Sequence, residues 1–420
     1  MIARRLLLGI AAAGLLALPV AARTPEQRAA ALDAELERLV SGGSTPGILV
    51  LILRDGQPLY ARAHGTREPG GGAPIGMEDM FRLASMTKLV TSVATLMLVE
   101  DGRIGLDDPL SRHLPEFAGL RVRQPDGSTA PAPRQPTIRE LLTHTAGFSY
   151  NFMNRAVAAE YRAAGVVDGL SHPELDTREA MRRLAAAPLL HAPGSAWEYS
   201  LSIDVAGAVV ERVTGQPLGS FVTERIARPL GIASFVFQAP AAQAERFVPV
   251  TRPAQVTGAL GTGVVPVRGE EAVLFPATQG MALLNPERVF LGGYHSGGAG
   301  MSGTIRDYAR FLLMLARGGE LDGVRLLRPE TVRLITENAT GAMPTLRGPG
   351  WGHSLGAGVL VDPAAARSRL PAGSWGWGGI YGTQFWVDPV NDIIGIVMTQ
   401  TAIIGSGPIA NAVRERFYAD

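Results

Sequence analysis

The stretch FRLASMTKLVTSVATLMLVE, residues 81–100, decides how this chain is read. From Ser85 to Glu100 it is apolar nearly all round, the pattern of a helix buried in the middle of a protein. It also holds the only lysine: lysine and arginine together number 39, and every other one is arginine. Guanidinium stays protonated in proteins, whereas a desolvated ammonium can lose its proton near neutral pH and become a base. Lys88 follows Ser85 by three residues, so the two side chains share a helix face. That is the geometry of a Ser-Lys pair, in which the amine takes the hydroxyl proton as oxygen attacks a carbonyl. S-x-x-K is a weak signal alone, and a lysine snorkelling from a helix end would read the same way.

The bulk numbers set the frame. Hydrophobic residues make up 46% and charged residues 18% of the 420, with a net charge of +1, which is ordinary for a folded globular protein. The arginines are scattered, so no basic stripe points to nucleic acid. There is no cysteine, which excludes a disulfide, a thiol nucleophile, a lipoprotein anchor and a cysteine-ligated metal. The seven histidines are dispersed without an H-E-x-x-H pattern, so a zinc site is not expected, and acyl transfer through a serine ester calls for neither a metal nor an organic cofactor. At the N-terminus, MIARR, an apolar run and VAA ending at Ala22 read as a signal peptide, residues 1–22. Arg4-Arg5 leaves a twin-arginine route open beside the general one. The mature protein, 23–420, is expected to be periplasmic or secreted, with no membrane span after cleavage.

Working outward, GILVLIL and PLYARAHG flank Arg54-Asp55-Gly56-Gln57 and predict a β-hairpin. GTQFWV and IIGIVMTQ flank residues 388–392 and predict another. TIRDYARFLLMLARGG predicts a helix opened by a capping box, Thr304 to Asp307. Residues from about 100 to 235 read as mostly helical, and 236–300 as long loops with short strands. Strands at both ends around a helical middle predict a mixed α/β fold. Its antiparallel sheet would come from about 25–80 and 300–420, with helical and loop structure over about 85–300.

Several blocks in order then carry a resemblance: SMTK, ELLTHTAGF, PGSAWEYSLSIDVAGAVVERVTGQPL, GGAGMSGTIRDYARFLLML and WGWGGIYGTQFWVDP. Together, over roughly residues 25 to 418, the chain resembles the penicillin-recognising serine hydrolases. These include class C β-lactamases, D-alanyl-D-alanine carboxypeptidases and family VIII carboxylesterases. The resemblance implies the β-lactamase/DD-peptidase-like fold, with Ser85 as acylated nucleophile, Lys88 as its activating partner and Tyr199 as proton shuttle. It further implies a third motif at Trp377-Gly378-Gly379, on what reads as an edge strand, and an oxyanion hole from the backbone N–H groups of Ser85 and Ile380. The glycines would let substrate approach the strand.

Two departures bear on substrate. Many relatives carry K-T-G as third motif, and this chain has no second lysine to place there. The tyrosine motif often ends in Asn, and here it ends in Leu201. Both remove polar recognition of a charged, peptide-like substrate. Aromatic residues stand in their place: Trp375, Trp377 and Trp386, with Phe148, Tyr150 and Phe152 after HTAG. The expected substrate is therefore a small, uncharged carboxylic ester, with Trp377, Leu201 and Phe148 lining its site. A β-lactamase, a D-alanyl peptidase and a non-catalytic binder of cell-wall fragments remain as alternatives.

Two motifs are decoys. GHSLG, 352–356, matches the G-x-S-x-G elbow, but the segment after Ser354 reads as a strand and His353 is the last histidine. GAGMSG, 298–303, matches G-x-G-x-x-G without a βαβ context and reads as a tight turn. His144 reads as a structural histidine.

Overall fold

The computed structural model describes residues 24–171, 174–255, 261–275 and 278–419; the predicted leader, 1–22, lies outside them. Helix α1 is Pro25–Ser41, where Thr24 and Gln27 close a capping box. The strands used below are β1 (Gly47–Arg54), β2 (Gln57–Glu68), β3 (Gly71–Pro74), β4 (Glu271–Phe275), β5 (Gly280–Leu284), β6 (Trp351–His353), β7 (Gly358–Leu360), β8 (Trp375–Gly379), β9 (Thr383–Asp388) and β10 (Ile393–Met398). The helices used below are α2 (Thr87–Glu100), α3 (Ser202–Thr214), α4 (Ile305–Ala316) and α5 (Ala410–Phe417).

Eight strands form one antiparallel sheet in the order β6-β7-β8-β9-β10-β1-β2-β3, so both termini build it as the sequence predicts. In β1 every residue but the last is buried, because both faces of the sheet are covered. Ile48, Val50 and Ile52 join Leu32, Leu36 and Leu39 of α1 and Val413 and Phe417 of α5 in one core layer. Leu49, Leu51 and Leu53 face the other layer, with Val90, Val93 and Leu96 of α2. A strand at period two with apolar residues in both phases has no solvent face, which places β1 mid-sheet.

Three expectations are refined by the structure. The 100–235 region holds short helices separated by turns, such as Ile138–Leu142, Arg155–Ala163 and Thr177–Ala185; Gly165 and Pro188 follow the last two closely, and His144, at φ 59°, turns the chain after the first. The third motif is not on an edge strand: β8 lies between β7 and β9. Yet β7 pairs only with Gly376 and Trp375, so the Trp377–Gly379 half of β8 has a free side. At α4, Thr304 Oγ1 does accept from Asp307 N, at 3.2 Å. The Asp307 carboxylate, however, accepts from Ala233 N and Ser234 N instead of returning to Thr304, which ties the helix to the preceding loop.

Candidate active site

Ser85 sits in a single 3-10 turn, Ala84–Met86, that leads into α2. The residue before it, Ala84, has φ 45°, a left-handed conformation that a non-glycine residue adopts at a cost of about 1–3 kcal/mol. The turn is held from both sides. Leu83 N donates to Met301 O at 3.0 Å, and Thr383 Oγ1 donates to Leu83 O at 3.1 Å. Gly379 is part of this clamp, since a Cβ there would lie 2.2 Å from Leu83 O. That corrects the sequence expectation for Gly379: its missing side chain makes room for the Ser85 turn, and it is absent from the cavity wall.

Lys88, at the start of α2, is 2% exposed. Its Nζ donates to three acceptors: Tyr150 OH at 2.8 Å, Gly298 O at 2.8 Å and Ser85 Oγ at 3.4 Å. Three N–H bonds matched by three acceptors is what a buried ammonium requires. Tyr199, just before α3, donates from its hydroxyl to Ser85 Oγ at 2.6 Å, and Trp377 Nε1 donates to that phenolic oxygen at 3.4 Å. Lys88 Nζ also lies 4.7 Å from the centroid of the Tyr199 ring. Ser85, Lys88 and Tyr199, separated by 114 positions at their extremes, thus meet as one hydrogen-bonded cluster that can pass a proton to and from Ser85 Oγ.

The sequence reading missed two members. Tyr150 is the second acceptor for Lys88; burial, with Tyr199 and Asp204 alongside, pushes its phenol well above the ordinary value, so it accepts as a neutral hydroxyl. Gly298 contributes only a carbonyl, from the decoy turn GAGMSG. Asp204 Oδ1 pins that turn by accepting from Tyr294 OH and Ser296 Oγ. A Cβ on Gly298 would fall 2.1 Å from Asp204 Oδ2. A backbone acceptor leaves no mark in a sequence beyond its glycine.

A cavity of about 470 Å³ opens at Ser85, bounded by Tyr150, Phe152, Tyr199, Phe275, Trp377, Gly378 and Ile380 among others. The Ile380 amide donates to no described backbone carbonyl and lies in the wall beside Ser85. Phe148 and Leu201 are corrections. Both are 1% exposed and absent from the cavity wall. Phe148 packs edge-on against Phe117 at 5.8 Å, while Tyr150 and Phe152 take the cavity positions. Trp375 and Trp386 are likewise core residues, in opposite layers.

His144 and His353 stand behind the reacting groups. His144 lies 5.0 Å from Tyr199 and His353 lies 5.3 Å from Trp377, ring to ring. Burial holds His144 well below its usual range and brings His353 down to about 4, so both are neutral supports at pH 7. Ser354 is fully buried and its Oγ accepts from Gly356 N and Ala357 N, which makes it a turn residue. Among the described residues no cluster of His, Asp and Glu has metal-site geometry, and no helix is long and apolar enough to cross a membrane.

Comparison with known proteins agrees with this fold. Residues 32–417 match the family model described as Beta-lactamase. The chain is 39% identical over 398 residues to "Esterase EstB" of Burkholderia gladioli, covering 93% of this chain and 95% of that one. It is 28% identical over 416 residues to "Lovastatin esterase" of Penicillium rubens, covering 93% and 97%. The solved structure described as "EstCE1, a hydrolase with promiscuous acyltransferase activity" superposes with a TM-score of 0.83 at 30% identity, over 94% of this chain and 99% of that one. A penicillin-binding protein homologue from Caulobacter crescentus shares the fold, with a TM-score of 0.66 at 21% identity over 93% and 97%. Fold and family model converge: this chain belongs to the beta-lactamase family of penicillin-recognising serine hydrolases and is a serine hydrolase.

Proposed function

We propose that this protein hydrolyses small, uncharged carboxylic esters through an acyl-enzyme on Ser85. The observation that carries the reading is the contact of Ser85 Oγ with Tyr199 OH at 2.6 Å and Lys88 Nζ at 3.4 Å, in a cavity lined by aromatic side chains together with Asp168, Arg347 and Arg414. Once Lys88 has lost a proton to solvent, its free amine takes the Ser85 proton, relayed through the Tyr199 hydroxyl, as the oxygen attacks. Tyr199 returns a proton to the leaving alcohol and then activates the water that releases the acid. The N–H groups of Ser85 and Ile380 receive the oxyanion, where one donor is typically worth about 3 kcal/mol of barrier. The esterase names of the curated relatives support the substrate class. The first 22 residues support export, testable by N-terminal sequencing of the protein recovered outside the cytoplasm, with a start near Arg23.

The experiment is p-nitrophenyl butyrate hydrolysis by the mature protein beside Ser85→Ala and Ser354→Ala. Loss in Ser85→Ala alone supports the reading; loss in Ser354→Ala alone overturns it. Nitrocefin turnover matching ester turnover would favour a β-lactamase. A second reading, transfer of the acyl group to an alcohol, is favoured by the described acyltransferase activity of the EstCE1 structure. An ester product formed in the presence of added butanol would support it.

A further inference from the structure

One carboxylate in the cavity wall is not used by the acyl-transfer chemistry. Asp168 is 4% exposed and borders the same cavity as Ser85, Tyr150 and Tyr199. Its Oδ1 accepts from Leu170 N at 2.9 Å and from Ser171 Oγ at 3.4 Å. Its Oδ2 has no hydrogen-bond partner among the described residues. Unlike Asp204 Oδ2, which is sealed from solvent, it is not among the fully enclosed orphan atoms, and the residue it belongs to separates the Ser85 cavity from a second one.

Asp168 cannot swing away to find a partner. Gly169 beside it has φ 75°, and a Cβ there would lie 2.1 Å from Ser296 Oγ. Asn285 N donates to Leu170 O at 2.9 Å. The loop is therefore packed on the same Ser296 turn that Asp204 pins. A buried acceptor held rigid and short of a donor is the kind of group that discriminates among ligands, because a ligand without a matching donor leaves it unpaired.

We propose that Asp168 is the acceptor for a hydrogen-bond donor carried by the substrate, a hydroxyl or an ammonium group. The site then selects esters bearing such a donor over plain alkyl esters and over esters bearing a carboxylate. This rests on the esterase reading above and extends its substrate class from uncharged esters to esters whose donor is an ammonium. Burial raises Asp168 to about 6, so it is ionised at neutral pH. The groups acting on it are Asp204 of α3, which raises it further, and Arg288, which lowers it. Tyr150 and Tyr381 face it as neutral phenols. Glu174, Arg162 and Arg183 share with it the wall of a second cavity on its outer side.

The test uses the full mature protein and three p-nitrophenyl esters of equal chain length, hexanoate, 6-hydroxyhexanoate and 6-aminohexanoate, with the adipate monoester as the anionic probe. Propyl butyrate against 2-hydroxyethyl butyrate places the donor in the alcohol half. In the unsubstituted protein at pH 7, kcat/KM is expected to favour a donor-bearing ester over its plain partner by about tenfold, with the adipate disfavoured. The hydroxyl and amino arms tell which donor is preferred. In Asp168→Asn the amide keeps an acceptor for Leu170 N and turns a donor to the cavity. The preference ratio should then collapse and the adipate improve relative to hexanoate. Each ratio is taken on one protein, so a general loss of activity cancels. A protein that turns over hexanoate without any donor preference, or an Asp168→Asn variant that keeps the preference, overturns the proposal while leaving the esterase reading intact. A protein inert to every ester sinks both.

Discussion

Lys88 Nζ donates to the Tyr150 hydroxyl at 2.8 Å, shorter than its 3.4 Å contact with Ser85 Oγ. The lysine is therefore held as much by a residue 62 positions away as by its helix neighbour. Tyr150→Phe removes that acceptor and leaves one N–H of a buried cation unmatched, which costs about 1–3 kcal/mol. The expected outcome is a drop of roughly ten- to a hundredfold in kcat with KM little changed, read from steady-state ester hydrolysis. An unchanged kcat would remove Tyr150 from the proton-handling cluster.

Arginine in place of Lys88 keeps a charge but has no proton to give up near neutral pH. Lys88→Arg should be nearly as inactive as Lys88→Ala, measured as the rate of acylation by a fluorophosphonate probe. Substantial acylation of the arginine variant would mean that only charge is needed there.

Tyr199→Phe deletes the 2.6 Å contact to Ser85 Oγ and should lower kcat by about a hundredfold or more, the usual weight of a positioned proton-transfer group. A loss smaller than that of Tyr150→Phe would exchange the roles of the two phenols.

The two third-motif glycines should respond differently to alanine. At Gly379 the new Cβ would meet backbone, Leu83 O at 2.2 Å; at Gly378 its nearest neighbour is a side-chain atom, Ser406 Cβ at 2.9 Å. Gly379→Ala is expected to lose about 1–3 kcal/mol in denaturant unfolding, along with most activity, because it displaces the Ser85 turn. Gly378→Ala should be the milder of the two. Equal effects would argue against the backbone clamp.

His353 titrates at about 4 in the fold because burial disfavours its charged form, against about 6.5 in an unfolded chain. Between those values the unfolded state binds more protons, so folding stability falls as pH drops from 6.5 towards 4. The contribution is roughly 3 kcal/mol at most. Asp168, raised to about 6, works in the opposite sense, favouring the fold as pH falls from 6 towards 4. His353→Gln should therefore show a smaller fall in Tm between pH 6.5 and 4.5 than the unsubstituted protein. An identical fall would show that the imidazole does not titrate with unfolding.

Local chemistry made much of this protein legible in its sequence. Ser85 and Lys88 are one helical turn apart, and the apolar residues around them could only belong to a buried helix. The Asp55-Gly56 turn and the Asp388–Asp392 loop marked their hairpins, since turn geometry is set by a few neighbouring residues. Tyr199 was identified by the block around it, because a lone tyrosine has no local signature of catalysis.

Only the tertiary structure decided the rest, because it depends on groups brought together from distant parts of the chain. Phe148 and Tyr150 are equally aromatic neighbours in sequence, yet one packs on Phe117 and the other accepts from Lys88. The Gly298 carbonyl and the Leu83 carbonyl act through backbone atoms that every residue possesses. Asp168 became notable only when burial and a fixed loop left one of its oxygens without a donor. Covalent neighbours determine which elements form and which side chains can react; the packing between elements determines which of those side chains meet, and which acceptor is left waiting for a substrate.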